Sequence, residues 1–314
     1  MWCDLVEARV GDALVRGEAR VDDLGAVTAE LDRVAPDRVV CLVGRTHGAG
    51  CASIDWIDGK GAMSDAERIA RHRCNVRDNL FAPVALALQC AARGVHMTYM
   101  GTGCIFEYAD DAPASGFSEA DAPNFHGSSY SNAKGYADRL MHMPPLADAV
   151  LNLRIRMPIT GAAHARNFVT KIAAYERVVD VPNSVTVLDD LLPLMVDMAA
   201  TGRVGTVNCT QPGVVSHSEV LEAYARYLAP GFTWRTMTLD EQRPLLVADR
   251  SNNRLDASLL AAAYPNAVLP AVQAVHRVLA REAYRRAHGD AAELARLDAI
   301  TPVPYRPTMP PYAV

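Results

Sequence analysis

Tyr130 and Lys134, in the stretch Y-S-N-A-K, are the residues whose types and spacing point most directly to chemistry. They lie in SSYSNAKGYADRLM, which the pattern predicts to be helical, and residues four apart share one helix face. A nearby ammonium favours the ionised phenol, so Lys134 is expected to lower the pKa of Tyr130 toward neutrality. Tyr130 could then exchange a proton with a carbonyl oxygen while a hydride moves at carbon. The same spacing also describes an ordinary solvated pair on a helix surface.

Two further residues follow the predicted strand VHMTYMG, upstream of this helix. Thr102 lies at the carboxyl end of the strand, where α/β sheets place their sites, and its hydroxyl could share the substrate oxygen with Tyr130. Cys104 is two residues further on, and residues i and i+2 of a strand face the same side. Thr102 and Cys104 are therefore expected to reach one substrate. The alternative for Cys104 is a buried, small apolar residue.

Alternating strands and helices must position these residues. Asp22 is predicted to cap a helix over DDLGAVTAELDRV, RVVCLV to form a buried strand, and AVLNLRIRM to form a later strand. Ser64 and Glu67 have capping-box spacing at the start of a long helix that runs through Arg93. This alternation predicts an α/β fold with a doubly wound parallel sheet. After residue 157 the segments become shorter and irregular, which indicates a smaller second lobe.

Composition narrows the class of protein. The chain has 314 residues, half of them hydrophobic, and a formal net charge of −5 without a dense Lys/Arg run, so neither a nucleic-acid nor a membrane partner is expected. No apolar stretch reaches the roughly 20 residues of a membrane span. The seven cysteines are scattered without a C-x-x-C pair, which argues against a disulfide framework or a metal site. We expect a soluble protein of a reducing compartment, the cytoplasm.

The stretch VVCLVGRTHGAG looks like a dinucleotide-binding loop, but the residues after it argue against that interpretation. It places Gly44, Gly48 and Gly50 after a predicted strand, as in loops that bind a pyrophosphate. Such a loop must lead directly into a helix, and the following CASIDWIDGKG is not helical in pattern. We therefore predict that this stretch is not the phosphate cradle.

Several long stretches resemble the nucleotide-rhamnose synthases, bifunctional epimerase/reductases related to dTDP-4-dehydrorhamnose reductase in the extended short-chain dehydrogenase superfamily. They are GTGCIFEY, PNFHGSSYSNAK, LRIRMPI, RNFVTKI, ERVVDVPNSVTVLDDLLP, QPGVVSHSEVLE, FTW and RSNNRLDA. The resemblance spans residues 20–270 and is densest over 98–258.

This resemblance implies a Rossmann-like fold and NADPH as the cofactor. The implied reaction inverts C3 and C5 of a UDP- or dTDP-linked 4-keto-6-deoxyglucose and then reduces C4, which yields the nucleotide-linked L-rhamnose. The choice between UDP and dTDP stays open, with UDP favoured by the likeness to the plant-type enzymes. The implied partners are the nucleotide sugar and a second copy of the chain.

The resemblance also implies roles for individual residues. Thr102, Tyr130 and Lys134 would form the reductase triad, and Cys104 would act with Lys171 in the epimerisation. Inversion next to a ketone needs a base on one face of the carbon and an acid on the other. The implied cofactor contacts are Arg20, Gly44, Asn75, Tyr130 and Lys134, and the implied substrate contacts are Arg166, Asn167, Arg250, Asn252 and Asn253. A purely structural role is equally reasonable for each substrate contact.

The implied domains are an NADP-binding domain over residues 1–157, a mainly substrate-binding lobe over 158–275 with some segments returning to the sheet, and a helical extension with a Pro-rich tail over 276–314. Met1 and Trp2 align with the end of the family's glycine loop, so the first strand and most of that loop are expected to be absent. Either the natural chain starts further upstream, or this is a decayed copy. The alternative to an enzyme is an inactive family member that serves as a regulatory or scaffold subunit.

Overall fold

Strands and helices alternate along the chain in the computed structural model, which describes residues 17, 19–51, 53–59, 63–108 and 113–288. The strands are β1 (Arg38–Cys41), β2 (His96–Thr102), β3 (Val150–Ile155), β4 (Pro158–Ile159), β5 (Arg177–Val179), β6 (Thr186–Val187), β7 (Gly205–Asn208) and β8 (Arg235–Met237). The helices are α1 (Leu24–Val34), α2 (Asp55–Asp58), α3 (Asp65–Val76), α4 (Ala82–Ala91), α5 (Ser129–Met141), α6 (Phe168–Ala173), α7 (Leu188–Ala200), α8 (His217–Tyr227), α9 (Leu239–Gln242), α10 (Ser258–Ala263) and α11 (Ala271–His288). A π-helical turn spans Arg77–Phe81, and 3₁₀ turns span Leu146–Asp148 and Arg243–Leu245.

The main sheet has the strand order β1-β2-β3-β7, with every neighbouring pair parallel. Successive side chains of a strand point to opposite faces of its sheet. Val150 accordingly packs in a cluster with α1 and α4, whereas Leu151 and Leu153 pack with α7 and α10. Helices therefore cover both faces, and the predicted doubly wound α/β fold is confirmed. Thr102 pairs with Ile155, so the carboxyl ends of β2 and β3 meet at one edge of the sheet.

Strand β1 differs from its prediction as a buried strand. Within β1 only Cys41 is buried, and the nearby side chains of Val40 and Leu42 are 56% and 64% exposed. The reason is that Val39, Cys41 and Val43 pack against the cluster with α1 and α4, whereas Val40 and Leu42 point to the opposite face, which is exposed there among the described residues. The predicted first helix, the expected remnant of the glycine loop and the Pro-rich tail all fall outside the described residues.

Of the two predicted helix caps, the structure confirms one and shifts the other by one residue. Ser64 and Glu67 form the predicted capping box of α3, with each side chain bonded to the other residue's backbone N–H. The predicted cap of α1 is wrong by one residue, because Asp23 rather than Asp22 accepts a hydrogen bond from the N–H of Ala26. Both aspartates have a suitable side chain, and sequence alone does not separate adjacent candidates.

The predicted continuous helix from Ser64 to Arg93 is interrupted by the π-helical turn Arg77–Phe81. Pro83 lies in the first turn of α4, and it has no N–H to bond to the carbonyl four residues earlier. The ladder therefore shifts to i→i+5 bonds for one turn, a type of bulge that often lies at functional sites. A second difference is α2, a single helical turn inside the stretch that was predicted to be non-helical.

Residues after β3 build the smaller lobe around α6, α8, α11 and the paired strands β4 and β6. Ala274, Val275 and Val278 of α11 are buried in this cluster, so α11 crosses the implied boundary at residue 275. The division into domains stays a prediction. No helix in the described parts of the chain is both long and apolar enough to cross a membrane.

Candidate active site

Thr102, Cys104 and Tyr130 meet at the carboxyl end of β2. Thr102 is the last residue of the strand, and Tyr130 is the second residue of α5, whose N-cap is Ser128. The hydroxyl of Thr102 forms a hydrogen bond with the phenol of Tyr130. The same hydroxyl oxygen accepts a hydrogen bond from the backbone N–H of Cys104 at 3.0 Å. Two hydroxyls and a thiol are thus held together where parallel sheets place their sites.

The expected strand geometry of Cys104 is wrong. β2 ends at Thr102, and Cys104 lies in the turn that follows. The turn forms because the Thr102 hydroxyl captures the N–H of Cys104, a local side-chain bond that competes with the sheet ladder. Cys104 therefore reaches the site through a turn rather than through the alternation of a strand.

The electrostatics of Tyr130 also differ from the sequence expectation. Burial is the main cause that raises the pKa of its phenol well above the usual value, and the nearby Cys104 adds to the rise, whereas the hydrogen bond from Thr102 opposes it. Lys134 does not contribute to this shift, because its ammonium is directed elsewhere. Tyr130 is consequently a neutral phenol at pH 7, which suits a proton donor.

Lys134 is buried, and its Nζ donates a hydrogen bond to the phenol oxygen of Tyr99 at 2.9 Å. Burial lowers the pKa of Lys134 to about 8. Gly44 lies beside this ammonium: a Cβ at Gly44 would lie 3.1 Å from Lys134 Nζ and 3.3 Å from Asn79 Oδ1. A glycine at this position therefore keeps the space next to the ammonium open.

Two asparagines on the interrupted helix tie this region together. Asn75 donates to the carbonyl of Ser129 at 2.8 Å, and Asn79 donates to the side-chain oxygen of Asn75 at 2.8 Å. Asn79 also exchanges two hydrogen bonds with the backbone of Arg45. The π-helical turn thereby links the loop after β1 to the start of α5. Sequence reasoning found Asn75 but missed Asn79 and Tyr99; the i,i+4 spacing of the two asparagines was the available signal.

In the glycine-rich stretch after β1, Gly48 serves packing. A Cβ at Gly48 would lie 2.1 Å from an atom of the Trp56 indole, so only glycine lets the ring pack there. Gly48 and Cys51 pair across a tight turn rather than opening a long helix. These contacts agree with the prediction that this stretch is not a phosphate cradle.

Asp55 organises a second part of the site. It accepts hydrogen bonds from the N–H groups of Val247 and Ala248 and pairs with Arg250 at 2.6 Å. Burial opposes ionisation of Asp55, but its hydrogen bonds, led by that from Arg250, outweigh the burial and lower its pKa to about 2. Asp55 is therefore a permanent anion, and it holds in place the segment that carries Arg250 and Asn252.

An open cleft of about 260 Å³ lies beside this segment. Its lining includes Tyr108, Arg243, Arg250 and Asn252. The lining also includes the acidic side chains of Glu107 and Asp249, so the groups suited to an anionic ligand are the two guanidinium groups, which bind phosphate oxygens well. Arg243 had no motif around it and was not singled out in the sequence.

Other predicted contact residues are occupied by the protein itself. Asn167 caps α6 and also bonds to Thr160 and to the carbonyl of Ala162. Asn253 is fully buried and donates to the carbonyls of Gly103 and Phe106, although its own side-chain oxygen has no partner among the described residues. Both amides shape the loops around the site, and their roles toward a substrate stay predictions.

Arg20, Arg166 and Lys171 lie outside the cluster at the end of β2. Arg20 is exposed and pairs with Asp22 at 3.0 Å. Arg166 is exposed in the loop before α6. Lys171 lies on α6 and is half-buried; burial is the main cause that lowers its pKa, and Arg166 lowers it further. Within the described residues no hydrogen bond joins Lys171 to Cys104, so their pairing stays a prediction.

Arg156 is a residue near the site that sequence reasoning missed, although its motif LRIRMPI was noticed. It follows β3 and is fully buried, and its guanidinium donates to the thiol sulfur of Cys104 at 3.3 Å. Nothing in the sequence around Arg156, which follows Arg154 by two residues, indicates a contact with a cysteine.

Solved structures define the class of fold. The dTDP-4-dehydrorhamnose reductase of Bacillus anthracis, determined in complex with NADP, superimposes with a TM-score of 0.64 at 13% identity, covering 83% of this chain and 85% of that chain. The fold is therefore the Rossmann-like fold of these reductases. The chain matches no protein-family model.

Closer relatives define the family. The L780 UDP-rhamnose synthase of Acanthamoeba polyphaga mimivirus is 44% identical with a TM-score of 0.77, and the match covers 85% of this chain and 89% of that chain. The bifunctional dTDP-4-dehydrorhamnose 3,5-epimerase/dTDP-4-dehydrorhamnose reductase of Arabidopsis thaliana is 40% identical over 265 residues, which are 83% of this chain and 82% of that protein. The chain belongs to this family of nucleotide-sugar epimerase/reductases.

Proposed function

We propose that the chain is an NADPH-dependent 3,5-epimerase/4-reductase that converts a nucleotide-linked 4-keto-6-deoxyglucose to the nucleotide-linked L-rhamnose. The observation that carries this proposal is the meeting of Thr102, Cys104 and Tyr130 at the end of β2, in a chain 40% identical to a bifunctional enzyme of that kind. The reductase needs the two hydroxyls, and the epimerase needs the thiol. A scaffold subunit needs none of these groups.

The residues near Lys134 fit the nicotinamide end of NADPH. Gly44 leaves open the space beside the ammonium, which a Cβ would otherwise narrow to 3.1 Å. Lys134 would hold the ribose beside the nicotinamide, Asn75 would keep the loop with Gly44 and α5 in register, and Arg20 would meet the 2′-phosphate. When bound, NADPH supplies the hydride that reduces the C4 ketone. The expected remnant of the glycine loop, at Met1 and Trp2, lies outside the described residues.

Reduction requires a proton donor at the carbonyl oxygen. Tyr130 is suited to this role because burial raises the pKa of its phenol, which keeps the proton on the oxygen at pH 7. Thr102 bonds to the phenol and would share the carbonyl oxygen with it. A positioned general acid of this kind contributes roughly 10²–10⁴-fold to a rate.

Epimerisation requires a base and an acid on opposite faces of the sugar. We assign Cys104 as the base that removes the proton next to the ketone and Lys171 as the acid that returns a proton to the other face. The electron pair of the broken C–H bond moves onto the carbonyl oxygen, where the hydroxyl of Thr102 stabilises the enolate.

The nucleotide would occupy the cleft of about 260 Å³ that contains Arg243, Arg250 and Asn252. Its diphosphate would meet the guanidinium groups, with Arg166 and the loop held by Asn167 on the sugar side and Asn253 shaping the floor. UDP is the proposed nucleotide, because the relative with 44% identity is a UDP-rhamnose synthase. We also propose a cytoplasmic location and a homodimer, which gel filtration with light scattering would test.

Two matched variants test the assignment of roles. Tyr130→Phe is expected to reduce NADPH-dependent reduction by roughly 10²–10⁴-fold and to leave solvent-deuterium incorporation at C3 and C5 intact. Cys104→Ala is expected to abolish that incorporation. Nuclear magnetic resonance of the sugar in D₂O follows exchange, and NADPH absorbance follows reduction. Full reductase activity in Tyr130→Phe would show that the triad is assigned wrongly.

Titration of the protein with NADPH by calorimetry separates the enzyme from a scaffold subunit. Micromolar binding supports the enzyme. Absence of binding, together with absence of deuterium exchange, would favour the scaffold instead.

A further inference from the structure

Arg156 is a fully buried cation whose surroundings are unusual. One guanidinium nitrogen donates to the sulfur of Cys104 at 3.3 Å and to the hydroxyl of Ser251 at 3.1 Å. The other donates to the side-chain oxygen of Asn183 and to the carbonyl of Ser251. Its Nε has no partner among the described residues. Four contacts therefore fix the group in place, and the only contact atom that can readily carry a negative charge is the sulfur.

No carboxylate of the described residues lies within ion-pair distance of Arg156. Arginine does not lose its proton in proteins, so the buried charge persists at every pH of interest. A buried charge surrounded by neutral dipoles alone is costly, which favours an anion beside it.

Three titratable groups that interact with Arg156 or Cys104 are neutral at pH 7. Tyr130 faces Cys104 from α5, and burial keeps its phenol protonated. Tyr108 faces Arg156, and burial raises the pKa of its phenol too. His217 faces Arg156 from the start of α8; burial is the main cause that lowers its pKa to about 4, and Arg156 lowers it further. Asp180 interacts electrostatically with His217, and its carboxylate accepts hydrogen bonds from Ser216 and Ser218.

We propose that Arg156 is a positioning residue that holds Cys104 as a thiolate and so makes it the base of the epimerisation. The inference rests on the proposed function, because Cys104 is the base only if the chain epimerises a ketosugar. Arg156 acts from behind the cysteine and does not contact the substrate.

The proton transfers balance with these groups and water. The thiolate takes the proton from the carbon next to the ketone, and the C–H electron pair becomes the enolate. The ammonium of Lys171 then protonates the opposite face of that carbon, which leaves a thiol and a neutral amine. The thiol loses its proton to water and the amine gains one from water, which restores both groups. A thiol could not begin this cycle, since it has no basic site to accept the first proton.

The first experiment uses the unaltered protein. Cysteines are alkylated with iodoacetamide over a range from about pH 6.5 to about pH 9, and peptide mass spectrometry follows each one separately. Cys51 is the internal control, because it has intermediate exposure like Cys104 and no charged partner among the described residues. The reaction of an ordinary thiol slows about tenfold per pH unit below about pH 8.5, and we expect the rate at Cys104 to change less than about threefold over the same range. The ratio of the rate at Cys104 to that at Cys51 should therefore rise as the pH falls. Parallel pH profiles at the two cysteines would overturn the proposal.

Two variants give the second test. Arg156→Met should give Cys104 the ordinary pH profile of Cys51 and reduce deuterium exchange at pH 7, with recovery as the pH approaches 9. Arg156→Lys should retain part of both properties because it keeps a cation. Arg277→Met is the matched control: it also removes a partly buried arginine, one paired with Asp190 rather than with the cysteine, and should leave the profile of Cys104 unchanged. Circular dichroism identifies any variant that does not fold, and the unaltered protein still decides the outcome in that case.

Failure of this inference is distinguishable from failure of the proposed function. If Cys104→Ala abolishes exchange while Cys104 alkylates like an ordinary thiol, the epimerase assignment stands and the role of Arg156 is wrong. If Cys104→Ala retains exchange, the proposed base itself is wrong.

Discussion

Arg154 and Arg156 lie two residues apart at the end of β3, and both are fully buried. Arg154 makes a bidentate pair with Asp138 of α5, at 2.9 Å and 2.7 Å, and also donates to the carbonyl of Ser118. Arg156 meets neutral oxygens and the thiol of Cys104. One buried cation is paired with a carboxylate and joins two elements. The other lacks such a partner, and its charge is available to act on a reactive group.

Lys134 is a third buried cation, and it extends the comparison. Its ammonium contacts the phenol of Tyr99, again without a carboxylate among the described residues. Lysine differs from arginine in that it can lose its proton when burial is unfavourable to charge. The charge of Arg154 is therefore neutralised by an ion pair, and the charge of Arg156 persists without one. The charge of Lys134 is lost near pH 8.

The largest expected effect comes from removing the anion beside Arg154. Asp138→Asn would leave that arginine buried and unpaired, so we expect the free energy of unfolding to fall by about 3–5 kcal/mol in urea denaturation. The control is Asp32→Asn, which breaks the exposed pair with Arg93 and should cost little. Equal destabilisation by the two variants would mean that the buried pair is not a structural device.

Removing both members of the pair should be less harmful than removing one. In Asp138→Leu combined with Arg154→Met no charge remains buried, so we expect this protein to be more stable than Asp138→Asn by at least about 1 kcal/mol. The same urea measurement applies. A lower stability than Asp138→Asn would indicate that the bond from Arg154 to Ser118 matters more than the charge.

The pH dependence of Lys134 gives a smaller effect with a defined sign. Because its pKa is lowered to about 8, kcat/KM for reduction should fall about tenfold per pH unit above about pH 8 as the ammonium is lost. Lys134→Arg keeps its charge and should show no such fall. A flat profile up to about pH 9.5 in the unaltered protein would contradict the assignment.

Stability should change in the opposite direction. Between about pH 8 and the model-peptide value of 10.5, the unfolded chain holds a proton on Lys134 that the folded chain has released. The contribution of Lys134 to stability therefore rises with pH in this window. The measured quantity is the difference in free energy of unfolding between the unaltered protein and Lys134→Met. A decrease of this difference with pH would refute the direction of the shift.

The smallest effect is expected at Gly44. In Gly44→Ala the new Cβ would lie 3.1 Å from Lys134 Nζ, so the ammonium must move by a few tenths of an ångström. We expect the dissociation constant of NADPH to rise several-fold, equivalent to roughly 1 kcal/mol, as measured by calorimetry. Gly25→Ala on α1, where a Cβ makes only an ordinary contact, is the control and should not alter binding.

Features that depend on neighbours in sequence were predicted well. The alternation of strands and helices gave the sheet its correct class, and the capping box of Ser64 and Glu67 formed as expected. The errors arise where distant contacts compete with local rules. β1 has a buried pattern in sequence but is covered on one face only among the described residues. Cys104 leaves the strand because the Thr102 hydroxyl binds its N–H.

The sequence by itself determined the family, through long shared strings, and the residue types at the end of β2. Only the tertiary structure decided which charges face which groups. Lys134 shares a helix with Tyr130 but contacts Tyr99, 35 residues away, and Arg156 meets Cys104 across 52 residues. Burial and the partners it brings together set the pKa of each group, and neither can be read from spacing along the chain.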